Sequence, residues 1–223
     1  FAGSGTVLVE ARLAGAIATG VDLNPLAVRL ASLKVEGRTA AERDALLAAA
    51  AGVAAVASER RKRKSGASRR YPPEDVAFFD AHVLLELDGL RVGIEAVESP
   101  RIRGDLGLVL SSLLTKLSRR RGDSADGAVT KRLAAGYPTR MFLSRTRELV
   151  SQLAELEAAL PHDARLGRVV LGDARVLAPV RDASIDLVVT SPPYPGNYDY
   201  LSHHAMRLRW LGLPADELDA GEL

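Results

Sequence analysis

The chain contains no cysteine, which excludes a disulfide framework and thiolate metal sites. Its four histidines lack metal-ligand spacing and leave little to hold zinc. No run of about 18 apolar residues occurs, and the first residues lack the charged-then-apolar order of a secretory signal. These absences point to a soluble, cytoplasmic protein with no membrane partner. A third glycine is also missing: the dinucleotide pattern Gly-x-Gly-x-x-Gly begun by Gly3 and Gly5 would need glycine where Leu8 stands, so NAD is disfavoured.

What is present is enough for one substantial core and an appended subdomain: 223 residues, 47% hydrophobic and 26% charged. The net charge of +2 hides an uneven distribution. Residues 38–165 hold 22 Lys and Arg against 17 Asp and Glu, a balance of +5, whereas the remainder holds 8 against 11, a balance of −3. The densest runs are Arg60 to Lys64, continued by Arg69 and Arg70, and Arg119 to Arg121. Such clusters suit the phosphates of a nucleic acid, and a solvated helix face is the alternative for any single run.

Three parts follow from patterning. In residues 1–37, Thr6 to Ala14 reads as a helix stopped by Gly15, "AIATGVD" as a short buried strand ending at Asp22, and Asn24-Pro25 as a helix start leading to a stop at Gly37. Loop, helix, strand, helix opens a wound α/β unit. Residues 38–165 show little strand character: an alanine-rich segment, a segment after Pro72-Pro73, and Leu149, Leu153, Leu156 and Leu160 at helical spacing describe a mostly helical insertion. Residues 166–223 return to the α/β pattern, with a strand ending near Asp173 and an apolar strand Ile185 to Val189 entering a Pro-Pro loop.

The chemistry lies at the strand ends. Gly3 and Gly5 let backbone approach a ligand, and the helix from Thr6 points its amides at an anion. Asp22, seventeen residues after Gly5, can accept both hydroxyls of a ribose; its alternative reading is a helix-capping aspartate. Asp173 can accept from an adenine amino group, or serve as an ordinary turn residue. "TSPPY", Thr190 to Tyr194, is the sharpest signal. Proline donates no hydrogen bond, so this loop offers acceptors, the Ser191 hydroxyl and the Pro192 carbonyl, to a base amino group, while Tyr194 stacks on an extruded base. Tyr198 is a candidate DNA contact, and Trp210 reads as core.

"FAGSG", "VDLNP", "GDA" and "TSPPY" together resemble the successive motifs of the S-adenosylmethionine-dependent amino-group DNA methyltransferases, which make N4-methylcytosine or N6-methyladenine. The resemblance spans residues 1–37 and 167–212, under half the chain. It implies a partial Rossmann-like class I methyltransferase sheet, an α/β fold carrying a large, mostly helical insertion. It also implies S-adenosylmethionine bound by Phe1, Gly3, Gly5, Asp22 and Asp173, and catalysis at Ser191, Pro192, Pro193 and Tyr194. A serine opening Pro-Pro-Tyr leans toward cytosine. DNA is the expected partner, gripped by Arg61, Lys62, Arg63, Arg119, Arg120, Arg121 and Tyr198, with a restriction partner left open.

Two departures keep alternatives alive. Cofactor loop before catalytic loop is an order shared with some DNA methyltransferase classes and with tRNA guanine-N2 methyltransferases, while another large DNA class reverses it. The insertion lies between the second and third motifs, away from the usual target-recognition position. Glycine-rich turns normally follow a strand, and none precedes Phe1. With three visible strands against the family's usual seven, the chain is expected to be incomplete at both ends, so an inactive nucleic-acid-binding fragment is the remaining alternative.

Overall fold

A computed structural model describes residues 1–119, 132–177, 180–191 and 200–214, with backbone only for 200–203. The described chain runs α1 (Thr6–Leu13), β1 (Thr19–Asp22), α2 (Pro25–Val35), α3 (Ala40–Lys62), α4 (Pro73–Phe78), α5 (Ala81–Glu95), α6 (Pro100–Leu117), α7 (Tyr137–Ala159), β2 (Arg168–Leu171) and α8 (Tyr200–Leu211). It divides into two compact units, one of Phe1–Arg38 with Leu153–Leu223 and one of Thr39–Gln152.

The first unit is built on β1 and β2, which pair in parallel with Thr19 opposite Arg168 and Asp22 opposite Leu171. Local signals act as the sequence implies. The Asn24 side chain accepts from the amides of Leu26 and Ala27, with Pro25 in the first turn of α2. Gly15 and Gly37, each at positive φ, follow the ends of α1 and α2. Leu8, Ala18, Ala31 and Val35 form a small core with Val169 packed on it. Gly20 and Gly167 admit that packing: a Cβ on Gly20 would lie 2.6 Å from Leu8 Cδ1, and one on Gly167 2.7 Å from Val35 Cβ. In α8, Met206, Leu208 and Trp210 are buried, the last as expected.

One strand expectation fails. Ile185 to Val189 belongs to no strand, and Leu187 and Val188 are 77% and 75% exposed. Among the described residues the sheet has two strands rather than the three read from sequence. An apolar run acquires strand structure only by hydrogen bonding to a neighbour, and among the described residues no strand pairs with 185–189.

The second unit is helical. α3 starts at a reciprocal capping box between Thr39 and Glu42. Gly89 and Gly93, four residues apart on one face of α5, bring that helix against α3: a Cβ on either would lie 3.0 Å from the Cα of Ala57 or of Val53. The segment after Pro72-Pro73, expected as one helix, is two. Phe79 is extended at φ −121° and 2% exposed, so burial of its ring breaks the backbone between α4 and α5. Leu87, Leu90, Leu106, Leu113, Leu114 and Phe142 complete the core.

Candidate functional site

Because β1 and β2 are parallel, their carboxyl ends share one edge of the sheet, and the glycine loop is tied to that edge. The Ala2 amide donates to the Val21 carbonyl at 3.0 Å. The Gly3 amide donates to Asp22 Oδ2 at 2.7 Å, while the Asn24 amide donates to Asp22 Oδ1 at 2.9 Å. The Gly172 amide, just past β2, donates to the Asp22 carbonyl at 3.0 Å. Asp22 thus gathers the loop and the next helix start onto one carboxylate. It does not cap α2; Asn24 does.

The two glycines of the loop act differently. Gly5, at φ +83°, sits where a Cβ would be 2.8 Å from Ala31 Cα, so it permits the close approach of α1 to α2. Gly3, at φ +54°, has nothing within 4 Å of its Cβ position and leaves open space beside the loop. Gly5, the N-cap of α1, has no side chain with which to cap the first amides, and amides at a helix start can take an anion. Asp22 is 9% exposed. Each carboxylate oxygen has two acceptor positions and each takes one backbone donor here, so one position per oxygen remains for a diol. Phe1 is 46% exposed at the start of the loop.

Asp173 lies two residues beyond β2 at the same edge. Its carboxylate accepts from the Arg175 amide at 2.8 Å, from Nε at 2.9 and 3.0 Å and from Nη2 at 2.7 Å. These bonds from Arg175 hold the Asp173 carboxyl below its ordinary value. The pair is solvent-exposed, so a ligand donor can replace Arg175 at small cost.

Sequence reasoning missed Lys34, whose half-buried ammonium donates to the Ser4 carbonyl at 2.7 Å and supports the loop. Burial pulls the Lys34 ammonium below the usual lysine value. Its signal was its place on α2, three residues after the Ala31 that touches Gly5. Ser191 is exposed, and no hydrogen bond among the described residues joins it to the Gly3–Asp22 edge. Pro192, Pro193, Tyr194 and Tyr198 lie outside the described residues, as do Arg120 and Arg121.

The basic candidates of the second unit are unequal. Arg61 Nη1 donates to the buried Glu86 at 3.3 Å, and Arg60 reaches the buried Asp88 at 3.1 Å. Arg63 pairs with Glu59 at 2.8 Å, and Arg119 pairs with Asp80. Lys62 and Lys64 are exposed. The run from Arg60 to Lys64 therefore turns two of its five charges inward, because the helical period that exposes Lys62 directs Arg60 and Arg61 toward α5.

Among the described residues no helix is long and apolar enough to cross a membrane, and no group of three or more His, Asp or Glu side chains could hold a metal ion. No family model, curated protein or solved structure matches the chain.

Proposed function

We propose that the chain uses S-adenosylmethionine to methylate the exocyclic amino group of a base in DNA, cytosine N4 in preference to adenine N6. The observation that carries this reading is the bonding of the Gly3 amide to Asp22 at the shared carboxyl edge of β1 and β2. Open α/β sheets take their ligands at that edge. The open space beside Gly3, the glycine N-cap of α1 and the two remaining acceptor positions of Asp22 suit an amino-acid carboxylate and a ribose diol.

When bound, the cofactor supplies an electrophilic methyl group on a sulfonium centre. In this reading Phe1, Gly3 and Gly5 line its amino-acid end, Asp22 accepts from the ribose hydroxyls, and Asp173 exchanges Arg175 for the adenine amino group. The Ser191 hydroxyl and the Pro192 carbonyl accept from the target amino group, orienting its nitrogen for in-line attack and stabilising the positive charge that grows there. Pro193 stiffens the loop, and Tyr194 stacks on the extruded base. With the cofactor bound, the methyl group would pass to the nitrogen held by Ser191 and Pro192 as the thioether departs with the bonding pair, and the amine proton would leave to water.

Calorimetry with S-adenosylmethionine tests the site: the wild-type chain binds, and Asp22→Asn loses binding. Absence of heat from a folded wild-type chain would sink the reading. Labelled cofactor offered to duplex DNA and to tRNA then identifies the product; label confined to guanosine of tRNA would move the function to RNA. One observation favours a second reading, a nucleic-acid-binding chain without transfer: Ile185 to Val189, which leads into Ser191, stands outside the sheet. Cofactor binding with no label in any nucleoside would support that reading instead.

A further inference from the structure

We propose that a groove in the second unit, between α3 and the start of α7, binds a phosphate of the DNA backbone, with Arg140 as the cation that receives it. This rests on the reading of nucleic acid as the partner and names a contact that the basic runs did not suggest. The groove is an open depression of about 380 Å³, lined from α3 by Ala51, Ala54, Ala55, Ser58 and Arg61 and from α7 by Arg140.

Two guanidinium groups crowd one point in it. Gly136, the residue before α7, has no side chain, and Arg61 Nη1 and Arg140 Nη1 lie 2.6 and 3.0 Å from where its Cβ would be. Among the described residues one carboxylate, Glu86, bonds to the groups at this end of the groove. Glu86 is 3% exposed and accepts from the amides of Gly136 and Thr139 at 2.9 and 3.1 Å, from the Thr139 hydroxyl at 2.6 Å and from Arg61 at 3.3 Å. Glu86 therefore neutralises Arg61 and the start of α7, and among the described residues one positive charge is left over. That charge is on Arg140, which is exposed and makes no ion pair or side-chain hydrogen bond among the described residues.

Phosphodiester suits this arrangement better than an isolated carboxylate. Its two unesterified oxygens can each take a guanidinium N–H, one from Arg140 and one from the outer face of Arg61. The Ser58 hydroxyl offers a further donor from the groove wall. Lys62, one helical turn beyond Ser58, is exposed and continues the positive charge out of the groove, as a chain of phosphates requires. The short side chains of Ala51, Ala54 and Ala55 in the lining leave room for a backbone to lie close. Such a contact positions DNA without reading its sequence.

The test uses the full chain and a fluorescently labelled DNA duplex, titrated at several salt concentrations, with S-adenosylmethionine calorimetry on the same samples. Arg140→Gln is expected to weaken DNA binding about tenfold, the worth of one charge-assisted hydrogen bond, and to reduce the salt slope by about one. Ala55→Glu places a carboxylate at an exposed lining position that is not a partner of Glu86, and is expected to weaken binding at least as much. Cofactor binding stays unchanged in both variants. Unchanged affinity and slope in the two variants overturn the proposal, as does a wild-type chain that does not bind DNA. A DNA defect in the variants of a chain that binds no S-adenosylmethionine upholds the groove and overturns methyl transfer; cofactor binding without any DNA binding does the reverse.

Discussion

Asp22 in the first unit and Asp88 in the second are both buried aspartates, yet their partners differ in number and kind. Asp22 accepts one backbone amide on each oxygen. Asp88, fully buried, accepts from five donors: the amide and hydroxyl of Ser68, the Tyr71 hydroxyl, Arg60 and Arg91. Burial pushes the Asp88 carboxyl up, and the hydrogen bonds from Ser68, Tyr71 and Arg91 together outweigh it, so the carboxyl lies below its ordinary value. A saturated carboxylate can only hold structure. One with acceptor positions to spare, at the open end of a parallel pair, can also hold a ligand.

The comparison breaks most visibly at Asp88. Replacing it by alanine leaves two arginines and three other donors facing a void, and is expected to cost about 3–5 kcal/mol, read as a lowered urea midpoint of the second unit. If Asp88→Ala unfolds at the wild-type midpoint, saturation does not mark a structural role. At the other pole, Gly5→Ala and Gly3→Ala separate packing from ligand space. The first forces a methyl onto the Ala31 backbone at positive φ and is expected to destabilise by about 2 kcal/mol or more. The second meets open space, costs about 1 kcal/mol for its left-handed backbone, and mainly weakens binding of S-adenosylmethionine. Thermal melts paired with calorimetry resolve the two; equal loss of stability would mean that the space beside Gly3 has no separate role.

A pH scan sharpens the contrast further. Burial and the hydrogen bond to Asp88 push the Tyr71 hydroxyl up to about 12, above the ordinary tyrosine value near 10. The raised value stabilises the folded state fully below about pH 10 and is lost as pH rises toward 12. Asp88 acts at the acid end: its lowered value contributes stability above the ordinary carboxylate range that disappears as pH falls through it. Tyr71→Phe is expected to remove the alkaline slope and to cost about 1 kcal/mol at neutral pH for the lost hydrogen bond. Retention of that slope would place the alkaline sensitivity elsewhere. The smallest effect belongs to Asp173: Arg175→Ala frees its exposed carboxylate, leaves the melting temperature within error, and tightens or preserves cofactor binding. Loss of binding would mean that Arg175 itself touches the ligand.

Much of the first unit was legible. Gly3 and Gly5 as turn glycines and Asn24-Pro25 as a cap are local chemistry, and each occurs in the structure, as does Asp22 at the end of a strand that β2 completes. The inward turn of Arg60 and Arg61 left one trace in the sequence, since Glu86 and Asp88 interrupt the apolar run of α5; acids buried in such a run require cations. Ile185 to Val189 was misread because apolar character alone does not supply the neighbouring strand that a ladder needs. Arg140 carried no signal, because a lone arginine in a helix resembles any surface residue until its neighbours are known.

The sequence by itself determined the helix caps and the turn glycines, since these depend on residues two to four positions apart, whereas the carboxylate at the end of β1 is placed by pairing with β2 and by Gly3, 19 residues away. Only the tertiary structure decided which charges are spent. Arg61 meets Glu86 across 25 residues and Thr139 meets it across 53. Whether a charge is neutralised inside the protein or left for a ligand depends on partners brought near by packing, and adjacency in the chain carries no record of them.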